Sequence, residues 1–184
     1  MEEPGDRTSR VIQSQLADLP WPALRAVSAL DFRVHPVSPS ADGVFQADGH
    51  MFVSPGLRNA DGDYGQLVFN HEAAGHGIDT TVPNWETLLA MAAYLDRAEH
   101  GATTSTRRYG EEHIREYGAT GVESYAFDPT GFAAERPNLR RLFTAALDSP
   151  VQPSAGSNAP VALGVTVAAF AAVLGVSTEE LSLR

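Results

Sequence analysis

Residues 70–79 read Asn-His-Glu-Ala-Ala-Gly-His-Gly-Ile-Asp, and the five-residue step from His71 to His76 constrains the local fold more than any other feature of the chain. Zinc peptidases space two such histidines four apart on one helix face. Residues five apart on a regular α-helix stand about 140 degrees round the axis, against about 40 degrees for four apart. A regular helix therefore cannot turn both imidazoles to one ion. Two repairs exist: a π-bulge, which widens one turn by a residue, or a helix that ends near Gly75 so that His76 turns back from a looser segment. Either makes Gly75 important. A third reading pairs Glu72 with His76, four apart, and leaves His71 to support the ligands or contact substrate.

The rest of the composition narrows the chemistry. The chain has 184 residues, enough for one domain that buries roughly two thirds of its unfolded surface without staples. It contains no Cys, so thiolate metal sites and Cys nucleophiles are excluded, and any metal must sit on His, Asp or Glu. All thirteen basic residues are Arg, which removes lysine-based catalysis. A net charge of -10 argues against nucleic acid or an anionic membrane as partner, because both call for a basic surface. The N-terminus, Met-Glu-Glu-Pro-Gly-Asp-Arg, lacks the basic start and apolar stretch of a signal peptide, so a cytoplasmic location is expected, with secretion by another route left open. No phosphate-binding glycine pattern or Gly-x-Ser-x-Gly elbow is present.

Periodicity divides the chain into a domain over 1–147, a linker over 148–160 and a C-terminal packing helix and tail over 161–184. Two short helices, capped at Ser9 and broken by Pro20 and Pro22, are expected as a lid over one sheet face through Leu30. Three short strands follow: Phe32 to Val37, Val44-Phe45, and His50 to Val53, the last two as a hairpin across Asp48-Gly49. A helix from about Tyr64, opened by Asp63, carries the His71-Glu72 pair, with Gly75 and Gly77 weakening it near His76. Trp85 to His100 is strongly helical, with Asn84 as cap and Gly101 as stop. Glu111 to Tyr117 reads as a short turn, Val122 to Phe127 as a separate continuation, and Asn138 to Leu147 as a further helix. The Ala-rich tail echoes half of a helix-turn-helix but lacks the basic charge to hold DNA, so a homodimer or docking helix is the better reading.

Metal-assisted hydrolysis needs imidazoles converging on one ion, an open position, and a carboxylate that takes a proton without binding the metal. His71 and His76 supply two ligands and Glu72 the base. The third ligand comes from the acidic residues of 111–135, and Glu123 is favoured, since its apolar neighbours in Val-Glu-Ser-Tyr-Ala-Phe would make an unpartnered carboxylate costly. The remaining histidines, His35, His50, His100 and His113, read as strand or surface residues, with His50 placed to contact substrate.

The stretch from about Leu19 to Leu147 resembles the zincin metallopeptidases, in particular the compact group that includes the anthrax lethal factor catalytic domain and the Pro-Pro endopeptidases. The resemblance rests on Leu67-Val68-Phe69-Asn70-His71-Glu72, on Gly75-His76-Gly77-Ile78-Asp79, and on Glu123-Ser124-Tyr125-Ala126-Phe127. This chain has one residue more between the His-Glu and Gly-His pairs, an HExxxH in place of HExxH. The resemblance implies an α+β zincin-like domain: a small mixed β-sheet, an active-site helix and a helical C-terminal half. It implies a zinc metallopeptidase cleaving a peptide or small amide substrate by metal-activated water, with Glu123 as a ligand. It also implies an oxyanion-holding tyrosine shortly before that glutamate, with Tyr117 nearest by position and Tyr109 and Tyr125 as rivals. Two alternatives stand beside this. An Fe2+ site of two histidines and one carboxylate would support non-hydrolytic tailoring chemistry of specialised metabolism. A metal-free pseudoenzyme on the same scaffold would bind a partner.

Overall fold

A computed structural model of the chain describes residues 13–19, 26–27, 29–32, 41–54, 57, 62–102 and 108–147. The expected linker and tail over 148–184 lie outside the described residues, as do Ser9 and His35. Three strands, β1 (Ala29–Phe32), β2 (Gly43–Phe45) and β3 (His50–Val53), form one sheet in the order β1-β3-β2. β1 runs parallel to β3, and β2 runs antiparallel to it. The expected hairpin is present. Gly49 takes a φ of 86° at its tip, and the Asp48 carboxylate accepts the His50 amide N–H at 3.0 Å. Leu30, read as the end of a helix, lies in β1 instead, paired with Met51 of the buried central strand.

Helices make up the rest of the described fold, which is mixed α+β. A single rod runs from Gly62 to Thr81: α1 (Gly62–Phe69), a π-helical segment (Asn70–His76) and α2 (Gly77–Thr81). The joints at Phe69 and Gly77 keep right-handed helical dihedrals, so the rod does not break. The Gly77 amide reaches back five residues to the Glu72 carbonyl, the bond that defines a π turn. Val82, extended at φ −107° and ψ 113°, ends it.

α3 (Trp85–His100) begins after Asn84 and ends at Gly101, whose φ of 65° and bond to the Arg97 carbonyl close the last turn as expected. Asn84 occupies the cap position in a left-handed conformation, but its side chain makes no cap bond. A 3-10 turn (Arg108–Glu111) leads into α4 (Ile114–Phe127), then α5 (Pro129–Glu135) and α6 (Pro137–Leu147). The two pieces expected over 111–127 are thus one helix passing straight through Gly118 and Gly121. Neither glycine acts as a breaker, because both are places of close packing. A Cβ on Gly118 would stand 2.6 Å from Leu89 Cδ1, and one on Gly121 would stand 3.1 Å from Phe143 Cζ.

The core lies between the rod, α3, α4 and α6. Phe143 of α6 is its centre, packed on Phe132, Tyr125 and Trp85 with ring centroids 5.6, 5.9 and 6.1 Å away. α6 is fastened to α3 by a cap from another element: the fully buried Asp96 accepts the amide N–H groups of Asn138 at 2.8 Å and Leu139 at 3.0 Å. Among the described residues no helix is long and apolar enough to cross a membrane.

α4 crosses the π segment at Gly75, where an added Cβ would stand 2.6 Å from both Cα and Cβ of Ala119. Backbone cannot yield as a flexible side chain can. Gly75→Ala is expected to lower stability by roughly 1–3 kcal/mol through overpacking, read from the urea midpoint. An unchanged midpoint would show that the two helices do not depend on this approach.

Candidate metal centre

The π segment brings His71 and His76 to one side of the rod, with ring centroids 4.9 Å apart and ring planes at 77°. Of the repairs that the five-residue spacing allows, the helix uses the widened turn. α4 lies across them and supplies two carboxylates from one face, since Glu116 and Glu123 are seven residues apart, close to two full turns. Glu123 Oε1 lies 2.5 Å from His71 Nδ1. Glu116 Oε2 lies 3.2 Å from His71 Nε2 and 3.5 Å from His76 Nε2. One donor atom from each of His71, His76 and Glu116 falls within 4.8 Å of the others, a group that could hold a metal ion.

Glu116 Oε2 is the atom that tests the fit. It is shielded from water and has no hydrogen-bond partner among the described residues; its approaches to the two imidazoles are close without hydrogen-bond geometry. A cation between the three side chains would satisfy it. Two ligands about 2.0–2.2 Å from a tetrahedral ion stand roughly 3.3–3.6 Å apart, near the 3.2 and 3.5 Å that separate Glu116 Oε2 from the two Nε2 atoms. The donor set fits a divalent metal ion.

Glu72 is buried on the neighbouring side of the rod. Its carboxylate accepts the amide N–H of Phe45, and β2 can come this near because Gly43 has no side chain: a Cβ there would meet Glu72 Cγ at 2.7 Å. Burial raises the pKa of Glu72, while the two histidines pull it down and Glu116 pushes it up, leaving it above the ordinary carboxylate range. A cleft of about 900 Å³ opens over these groups, walled by β2, the rod and the start of α4. At its mouth Arg115 bridges Asp79 at 3.0 Å and Glu86 at 2.5 Å, and Tyr64 donates its hydroxyl to Asp42 at 2.5 Å.

The structure brings together His71, Glu72, His76 and Glu123, but Glu123 meets Nδ1 of His71, and the carboxylate beside both Nε2 atoms is Glu116. Treating 111–117 as a separate turn hid this, because the shared face of Glu116 and Glu123 exists only if one helix runs through Gly118. Tyr117 does not line the cleft. Adjacent helical residues diverge by about 100 degrees, so with Glu116 facing the site Tyr117 enters the core, where its hydroxyl accepts from Arg136 Nη1 at 3.3 Å. Tyr125 packs between Phe132 and Phe143, also away from the cleft, and the Tyr109 side chain lies outside the described residues. Tyr64, His113 and Arg115 do line the cleft and were not assigned to it from sequence; the acidic and basic residues at the start of α4 were the signal available. His50 stays at the hairpin, 3.1 Å from Asp48.

The chain matches no family model, and comparison with curated proteins and with solved structures returns no similar protein.

Without a metal, protons take the place of the cation. Burial disfavours charged His71, but Glu116, Glu123 and Glu72 outweigh it and raise its pKa from 6.5 to about 9. Burial likewise acts against the Glu116 carboxylate, and His71 and His76 overcome it, holding its pKa well below the ordinary 4.5. His71 therefore contributes stability that is fully present below its unfolded pKa of 6.5 and is lost as pH rises through about 9. Glu116 contributes stability present above its unfolded value of 4.5 and lost as pH falls through its lower folded value. In excess chelator the melting temperature should fall between pH 6.5 and 9. A melting temperature that rises over that interval would contradict the arrangement.

Proposed function

We propose that the chain is a zinc-dependent hydrolase acting on peptide or amide bonds, with His71, His76 and Glu116 as the metal ligands and Glu72 as general base. The observation that carries this reading is Glu116 Oε2, shielded from water and set 3.2 and 3.5 Å from Nε2 of His71 and His76 without hydrogen-bond geometry to either. A zinc ion held there supplies a Lewis acid that polarises a carbonyl and lowers the pKa of water. Glu72 is suited to take a proton: it follows His71 directly, lines the same cleft, is anchored by the Phe45 amide, and has a pKa raised by burial toward the working range of a base. β2 and the rod shape the cleft and keep bulk water off the Glu72 carboxylate.

The zincin-like reading draws on the order of elements: strands, then the rod bearing the His-Glu pair, then a helix returning a glutamate to it. Two histidines and one carboxylate are also the donor set of a non-haem iron site, so the metal the protein carries decides between hydrolysis and oxidative chemistry.

Elemental analysis of the purified and reconstituted protein tests the proposal, together with turnover of quenched fluorescent peptide mixtures. Wild type should carry one zinc per chain, lost in His71→Ala, His76→Ala and Glu116→Ala. Glu72→Gln should keep the zinc and lose about 10²–10⁴-fold in turnover. Iron with dioxygen consumption would replace hydrolysis by oxidative chemistry. Absence of any bound metal after reconstitution would make the domain a binding module and sink the proposal.

A further inference from the structure

Glu123 is buried, 3% exposed, and its Oε1 lies 2.5 Å from the Nδ1 of a residue 52 positions away in the chain. A carboxylate kept ionised in such a place is costly unless something uses its charge. A contact of this length between a carboxylate oxygen and an imidazole nitrogen is a hydrogen bond, and the carboxylate is its acceptor when His71 Nδ1 carries the proton. In a neutral imidazole that leaves Nε2 as the atom with the free lone pair, and Nε2 is the nitrogen that faces Glu116. Both choices open to the ring, its tautomer and its flip, are decided by one contact.

We infer that Glu123 is a positioning residue: by accepting the Nδ1–H of His71 it reserves Nε2, the nitrogen that faces Glu116 and His76, for a metal ion or a second proton. The inference rests on the proposed metal centre for its functional meaning and departs from the role the zincin resemblance implies for this glutamate, which is that of a ligand. One helix supplies a carboxylate at each nitrogen of the ring. Glu116 and Glu123, two turns apart on α4, bracket a single imidazole at its two nitrogens. Such partners fix ring orientation and raise the basicity of a ligand, and their loss costs about 10–100-fold in metal affinity.

The test compares wild type with Glu123→Gln, Glu123→Leu and Glu116→Gln by three readouts. Competition with a chromophoric chelator should show zinc bound about 10-fold more weakly in Glu123→Gln, whose amide oxygen still accepts the bond, and about 100-fold more weakly in Glu123→Leu. Visible spectra of the Co2+-substituted proteins should match wild type in Glu123→Gln and differ in Glu116→Gln, because only the second loses a ligand. Proton–nitrogen correlation spectra of the histidine rings should show a slowly exchanging, far-downfield His71 Nδ1–H in wild type that moves in both Glu123 variants. Circular dichroism identifies any variant that has not folded, and Glu123→Gln, close in shape, keeps the test open if Glu123→Leu fails.

A cobalt spectrum altered in Glu123→Gln and preserved in Glu116→Gln would make Glu123 the ligand and overturn the inference while leaving a metal centre in place. A wild-type ring without the Nδ1 proton would overturn it too. A wild type that binds neither Zn2+ nor Co2+ but keeps the downfield Nδ1–H would leave the Glu123 contact established and remove the hydrolase reading instead.

Discussion

The site depends on one close crossing, α4 against the π segment at Gly75 and Ala119. With no side chain at Gly75, the two backbones approach to a distance at which a Cβ would meet Ala119 at 2.6 Å. That closeness lets carboxylates from α4 reach the imidazoles of the rod, since a glutamate side chain spans only a few ångströms. Gly118 repeats the device on the other flank against Leu89. Small residues in α4 cost helix propensity, roughly 1 kcal/mol for each glycine relative to alanine, and the cost is offset by burial of the helix between the rod, α3 and α6. Local propensity is subordinated to the position of two carboxylates.

Those carboxylates create an electrostatic condition of their own. Glu72, Glu116 and Glu123 stand around two imidazoles in a region largely withdrawn from water. Three ionised carboxylates with neutral histidines would leave an uncompensated negative charge at low dielectric, which is unfavourable unless a cation sits among them. A proton on His71 supplies part of that charge, which is why its pKa rises to about 9 in spite of burial. A divalent ion there would supply more and would use the same Nε2 lone pair, so protons and metal would compete at one atom, and the ion pair between Glu116 and His71 balances the charges without it.

Much of this was legible in the sequence. The α+β class, the hairpin at Asp48-Gly49, the helix from Trp85 to Gly101 and the His71-Glu72-His76 cluster follow from turn chemistry, periodicity and residue type. The first helix–strand boundary did not follow, because Leu30 fits an apolar helix stripe and a strand equally well, and only its pairing with Met51 decides between them. The third carboxylate was placed within 111–135 but at Glu123 in preference to Glu116. The obstacle was glycine, which reads locally as a breaker; at Gly118 and Gly121 its meaning is tertiary, set by Leu89 and Phe143. Once the helix is continuous, Glu116 and Glu123 share a face and Tyr117 is turned into the core, so the continuity of α4 decides where all three side chains lie.

The extra residue between the histidines has a consequence for stability as well as geometry. A π turn is a poorer backbone arrangement than an α turn and persists where its surroundings favour it. In the α form His76 would swing about 140 degrees from His71, so an ion held by both imidazoles binds the π form and not the α form. Whatever free energy the ion contributes then adds to the preference for the widened turn, by the linkage that governs any ligand bound to one of two states. The Gly75–Ala119 crossing, the Phe45 amide on Glu72 and the ion between Glu116 and the two histidines would all act on the same seven residues. The five-residue step between the histidines is accommodated here because packing from α4 and a hydrogen bond from β2 favour the widened turn, and ligation would favour the same conformation.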